Sequence, residues 1–98
     1  MWKKELISQV KNQLLSIGFV DNKLGNTIID YTDVSIVVRK DNIITNNFII
    51  VQGIDTLKIT DHISSEHYEL DNLEIFNEDL IPELVEFMAD FVVNSIME

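Results

Sequence analysis

Four carboxylates, Asp79, Glu83, Glu86 and Asp90, recur at i, i+4, i+7 and i+11 near the end of a 98-residue chain. On a helix that spacing lines them along one edge. No Lys or Arg stands three or four positions from any of them. Asp79–Glu83 and Glu86–Asp90 are like-charge i,i+4 pairs, each costing a helix roughly 0.2–0.5 kcal/mol. The helix dipole offsets acids in the first turn but not Asp90 further along. Local choices that oppose stability mark places where function is expected. The chemistry on offer is attraction of a cation, with carboxylates presented where a basic groove takes phosphates. Asp71 and Glu74, just upstream, extend the candidate partner-binding set. Two plainer readings compete: a solvated face that serves solubility, or neutralisation within the chain by Lys4 and Lys11, which share one face of the first helix.

Other chemistries have less to stand on. His62 and His67 lie among Asp61, Glu66, Glu69 and Asp71, but a five-residue spacing fits neither a helical zinc pair nor a zinc ribbon, and cysteine is absent. An EF-hand after Asp71 fails because its glycine is missing and Leu73 and Ile75 hold ligand positions. Ser64 and Ser65 sit near the histidines without a G-x-S-x-G turn. Gly18, Gly25 and Gly53 are isolated, so no loop cradles a phosphate. No catalytic residue, metal or cofactor is expected, and enzymatic activity is the least supported class.

Charge sharpens the picture. The chain carries seven Lys/Arg against seventeen Asp/Glu, a formal net charge of −10. Lys58 is the last basic residue, and eleven of the acids follow it. Asymmetry of this kind reports on partners rather than fold. Direct nucleic-acid binding is disfavoured, since phosphate contacts need clustered cations and these are scattered. Fifteen isoleucines and 46% hydrophobic residues argue against disorder. The longest apolar run, Phe48-Ile49-Ile50-Val51, is far short of the ~20 residues a membrane helix needs. The N-terminus lacks the apolar stretch of a secretory signal. A cytoplasmic protein without membrane contact is expected.

The elements that must position these residues follow from periodicity. Trp2, Leu6, Val10, Leu14 and Ile17 form one helical stripe closed by Gly18, with Phe19 covering the end. Between 27 and 60 the pattern turns β-like, with candidate strands Thr27–Tyr31, Val34–Arg39, Ile43–Thr45, Phe48–Gln52 and Thr56–Thr60. Asp41-Asn42, Asn46-Asn47 and Gly53 are the candidate turns. The first two strands could also be one long strand bent at Thr32-Asp33. Residues 61–76 leave two options: a short helix capped by Asp61, or a hairpin of His67–Leu70 with Leu73–Phe76. A second helix starts near Asn77 to Ile81, with Pro82 in its first turn. Its apolar face spans Leu80, Ile81, Leu84, Val85, Met88, Phe91, Val92 and Ile96, with Phe87 flanking. That face is wide enough for a second chain as well as the sheet, so a homodimer is one expectation. The reading is a single α+β domain over 1–98: N-terminal helix, antiparallel sheet of three to five strands, C-terminal helix packed on the sheet.

Size, charge and element order together resemble small acidic phage-encoded anti-CRISPR and anti-restriction proteins, some of which are helix–three-strand–helix domains; no motif adds to that likeness. It implies a non-catalytic inhibitor whose acidic C-terminal surface blocks the basic groove of a nucleic-acid-binding protein. An AT-rich composition, rich in Ile and Asn with one Ala and one Arg, fits a low-GC bacterium or its phage. The alternative is an acidic dimeric chaperone or adaptor that holds a partner protein through apolar surface.

Overall fold

Turn chemistry decides the order of this molecule more than strand propensity does. A computed structural model describes residues 2–54, 56–70 and 81–97. Helix α1, Trp2–Ile17, leads into the two-residue strand β1, Lys23–Leu24, then β2, Thr27–Tyr31, and β3, Ser35–Lys40. The long strand β4, Ile43–Gln52, is followed by β5, Leu57–Asp61, β6, His67–Leu70, and helix α2, Ile81–Met97. The strands form one six-stranded antiparallel meander in chain order. This is the expected α+β architecture, with short strands β1 and β6 added at the two edges.

Each hairpin has a local cause. Asp21-Asn22 and Asp41-Asn42 both take positive φ, 51° and 64° then 54° and 65°, as two-residue turns of the primed type require. At Thr32 a bend in one long strand loses to a hairpin. Its hydroxyl accepts from the backbone N–H of Val34 and Ser35 and lies 2.6 Å from the Ser35 hydroxyl, and its N–H donates to the Ser35 carbonyl. Gly53 donates its N–H to the Thr56 carbonyl and closes the β4–β5 turn.

Asn46-Asn47 is a correction. These residues do not turn; they sit inside β4, which runs unbroken where two strands were expected. Val38 pairs with Asn46 and Arg39 with Ile44, so Thr45 is the extra residue of a bulge. Pairing with β3 on one side, and hydrogen bonds to Asp61 and from the His62 N–H on the other, outweigh the turn preference of two asparagines. Residues 61–66 form no helix. His67–Leu70 is a strand, but it pairs back onto β5; Leu73–Phe76 lies outside the described residues.

Both helices lie on the same face of the sheet and against each other. The core joins Leu6, Val10 and Leu14 of α1 and Val85, Met88, Ala89, Val92 and Ile96 of α2 to Ile29, Ile36, Val38, Phe48, Ile50, Leu57 and Ile59 of the sheet. Two details differ from the helical stripes drawn on sequence. Ile7, not Ile17, completes the α1 face; Ile17 is 42% exposed. In α2 the small Ala89 is fully buried, which lets a neighbour approach closely. Leu80 and the side chains of Trp2 and Ile81 are outside the described set. Among the described residues no helix is long and apolar enough to cross a membrane.

The helix ends are closed by different means. Gly18, at φ 127°, donates to the Leu15 carbonyl, and Phe19 N–H reaches back to Leu14 at 3.0 Å. That is the Schellman pattern, with Phe19 and Leu14 both buried over the end. The last turn of α2 holds no basic residue of its own. Lys40, from β3, donates its Nζ to the Ile96 carbonyl at 2.8 Å and places a cation at the negative end of the helix dipole. A Cβ at position 18 would meet only Leu24, at 3.7 Å, so the cost of Gly18→Ala is backbone strain. We expect a loss of about 1–2 kcal/mol, read as a lower urea midpoint with unchanged slope.

Candidate acidic helix edge

The surface that could bind a partner is the solvent edge of α2. Its inner face is fixed by the core, and the aromatic ring of Phe91 sets its rotation. That ring meets Phe48 edge-on, centroids 6.2 Å apart, and Tyr68 at 6.1 Å. With this side anchored, Glu83, Glu86 and Asp90 all emerge exposed. Among the described residues none of the three has an ion-pair partner. Asp71, Glu74 and Asp79, the other expected members, lie outside the described residues.

Phe87 joins this edge. Phe87, placed at the margin of the apolar face, is 57% exposed. At 100° per residue Glu83, Glu86, Phe87 and Asp90 fall within about 100° of arc. An exposed benzyl ring therefore stands at one border of the stripe, beside three carboxylates that have no ion-pair partner among the described residues. The signal was present: Phe87 lies furthest from the arc centre on which Val85, Met88, Val92 and Ile96 agree.

Among the described residues neither Lys4 nor Lys11 forms an ion pair with Glu83, Glu86 or Asp90. Lys11 sits over the Tyr31 ring, 4.7 Å from its centroid. With Lys4, Ser8, Asp33 and others it lines a cleft of about 540 Å³ between α1 and the β2–β3 turn. Lys4 also borders a shallow groove against Pro82 and Val85, without an ion pair to the α2 acids. Burial pushes the Tyr31 phenol from 10.0 up to about 12. The neutral phenol is thus preferred by the fold. Its stabilisation is complete below pH 10 and lost as pH rises toward 12. An ultraviolet titration should show one of the two tyrosines ionising near pH 12, and only near 10 once denatured.

Asp61 attracts attention as a carboxylate only 1% exposed. Its role is structural. Oδ1 accepts from the backbone N–H of Asn47 and of Ile63, both at 3.0 Å. Oδ2 accepts from Asn46 Nδ2 at 2.8 Å and from the Ser64 hydroxyl at 3.1 Å. Burial alone would raise this carboxyl, but the four hydrogen bonds together outweigh it and hold the group below its ordinary value. Asp61 thus organises the β5–β6 turn and locks it to β4; it caps no helix. The neighbouring histidines are exposed, and no metal-holding cluster occurs among the described residues.

Comparison of the chain with protein-family models, with curated proteins and with solved structures finds no match.

Because the folded pKa of Asp61 is depressed, its stabilisation is full above the unfolded value of about 3.9 and is lost as pH falls through the folded one. Asp61→Ala should cost about 2–4 kcal/mol at neutral pH, since four donors lose their acceptor. Denaturation curves from neutral pH down to acid should show a flatter acid limb for the variant.

Proposed function

We propose that this domain is a non-catalytic protein-binding inhibitor that sets the acidic edge of α2 into a basic groove of a nucleic-acid-binding protein. One observation supports the reading above others: Phe87 stands exposed beside Glu83, Glu86 and Asp90. A solvated face that served only solubility has no need of an exposed aromatic ring along its border. A ring beside carboxylates suits arginine, whose guanidinium stacks on an aromatic face while its N–H groups pair with carboxylate oxygens. Aromatic anchors surrounded by polar contacts are typical of the residues that dominate binding energy. Grooves that take phosphates are rich in arginine, and a chain of net charge −10 approaches them with favourable long-range steering. A phage-encoded inhibitor of the anti-CRISPR or anti-restriction type is the form of this function that size, acidity and element order favour.

Immobilised protein should capture basic nucleic-acid-binding proteins from a low-GC bacterial lysate at low salt and release them by about 0.5 M salt. Glu83→Lys with Glu86→Lys should abolish capture while leaving unfolding within about 0.5 kcal/mol of the parent, as expected for exposed positions. Phe87→Ala should weaken binding about tenfold, the effect of losing an aromatic anchor. Undiminished capture by the double variant would overturn the proposal.

A further inference from the structure

Both helices cover one face of the sheet, and no described residue covers the other. The register identifies its outward positions, because side chains alternate along each strand. Apolar ones predominate at its centre: Ile28, Val37, Ile44, Ile49 and Val51. Ile28, Val37 and Ile49 are half-buried by their neighbours, while Ile44 is 49% and Val51 47% exposed. An antiparallel sheet with one wet face normally turns polar side chains to it. This one turns β-branched apolar side chains outward on three adjacent strands.

We propose that the open face is a self-association surface, on which a second copy of the chain stacks its own open face with the helix layers outside. The occupant follows from charge. Two copies of a chain carrying −10 repel each other, and the α2 acids stand on the helix layer. On the described part of the open face the charges nearly cancel instead: Asp30 is ion-paired with Arg39 and Lys58 stands directly opposite Glu69, so the centre is neutral and Lys23, opposite Ile28 at the β1 edge, is the one charge left over. A basic partner finds no complement on such a surface; an identical neutral apolar face does. The area is also sufficient. Six strands at about 4.8 Å spacing and five or six residues at about 3.4 Å give roughly 500 Å² per copy, or roughly 1,000 Å² in all. That is the lower end of specific interfaces and corresponds to a reversible dimer. Stacked sheets would turn the two α2 edges outward in opposite directions, so each dimer would present two acidic surfaces. This goes beyond the inhibitor reading, and neither depends on the other.

Sedimentation velocity on the whole chain tests it. The weight-average sedimentation coefficient should climb from the monomer toward the dimer value between about 1 and 300 µM, as mass action requires. The contact is apolar and charge-balanced, so raising salt should preserve or strengthen it. Val51→Glu and Ile44→Lys, both at exposed positions, should each weaken association at least about tenfold, with thermal melts confirming that they fold. Leu15→Lys removes an exposed apolar side chain from the helix layer, 60% exposed, and should leave association unchanged. A parent protein that stays monomeric throughout the range would overturn the proposal. So would a dimer that Leu15→Lys disrupts and the two sheet variants do not.

Discussion

Packing of both terminal helices onto one sheet face is the constraint from which the rest of the molecule follows. Leu6, Val10 and Leu14 arrive from one end of the chain, Val85, Met88 and Val92 from the other, and all are buried against Ile29, Ile36, Val38, Phe48, Ile50 and Ile59. Each fully buried side chain of this kind contributes about 1.5–3 kcal/mol. The like-charge Glu86–Asp90 pair on α2 opposes the helix by only roughly 0.2–0.5 kcal/mol. The seam therefore wins by a wide margin, and α2 can carry an acidic outer edge with little loss. Phe91, between Phe48 and Tyr68, converts that seam into a fixed rotation of α2. Exposure of Glu83, Glu86, Phe87 and Asp90 is a consequence of what the opposite face buries.

Among the described residues, covering one face also leaves the other bare, and the two surfaces differ in kind. The helix layer holds carboxylates with no ion-pair partner among the described residues, beside an exposed aromatic ring. The open sheet face holds β-branched side chains with the charges at its centre balanced across strands. A surface of the first kind favours cations and responds to salt; one of the second favours another neutral apolar face and does not. The separation is spatial, so association through the sheet and binding through the helix edge need not compete.

Asp61 shows where binary patterning and structure part company. It occupies an inward position of β5 opposite Phe48, where an apolar residue would be expected. A carboxylate persists there because four donors converge on it, two of them from Asn46 and Asn47. Those same asparagines read as a turn in isolation. The bulge at Thr45, the absence of a turn at 46–47 and the shape of the 62–66 loop are thus one arrangement, centred on a buried charge. No window of local sequence contains all its parts, which are fifteen residues apart for Asn46 and Asp61.

Short-range physics made much of the fold legible in the amino-acid order. The α1 stripe of Leu6, Val10 and Leu14, its closure by Gly18 and Phe19, the Asp41-Asn42 turn and the place of Pro82 all depend on contacts within a few residues. The acidic edge was legible for the same reason, since helical spacing alone aligns Glu83, Glu86 and Asp90. Tertiary structure decided the remainder. Pairing with β3 and the hydrogen bonds to Asp61 made one strand of β4, and β6 pairs with β5. A chain reversal after residue 18 exposed Ile17 and left Ile7 inside. The cation that closes α2 comes from Lys40, fifty-six residues away in sequence. Phe87 faces solvent because the sheet and α1 together cover a narrower arc of α2 than its apolar residues span, and only the packed structure fixes the width of that arc.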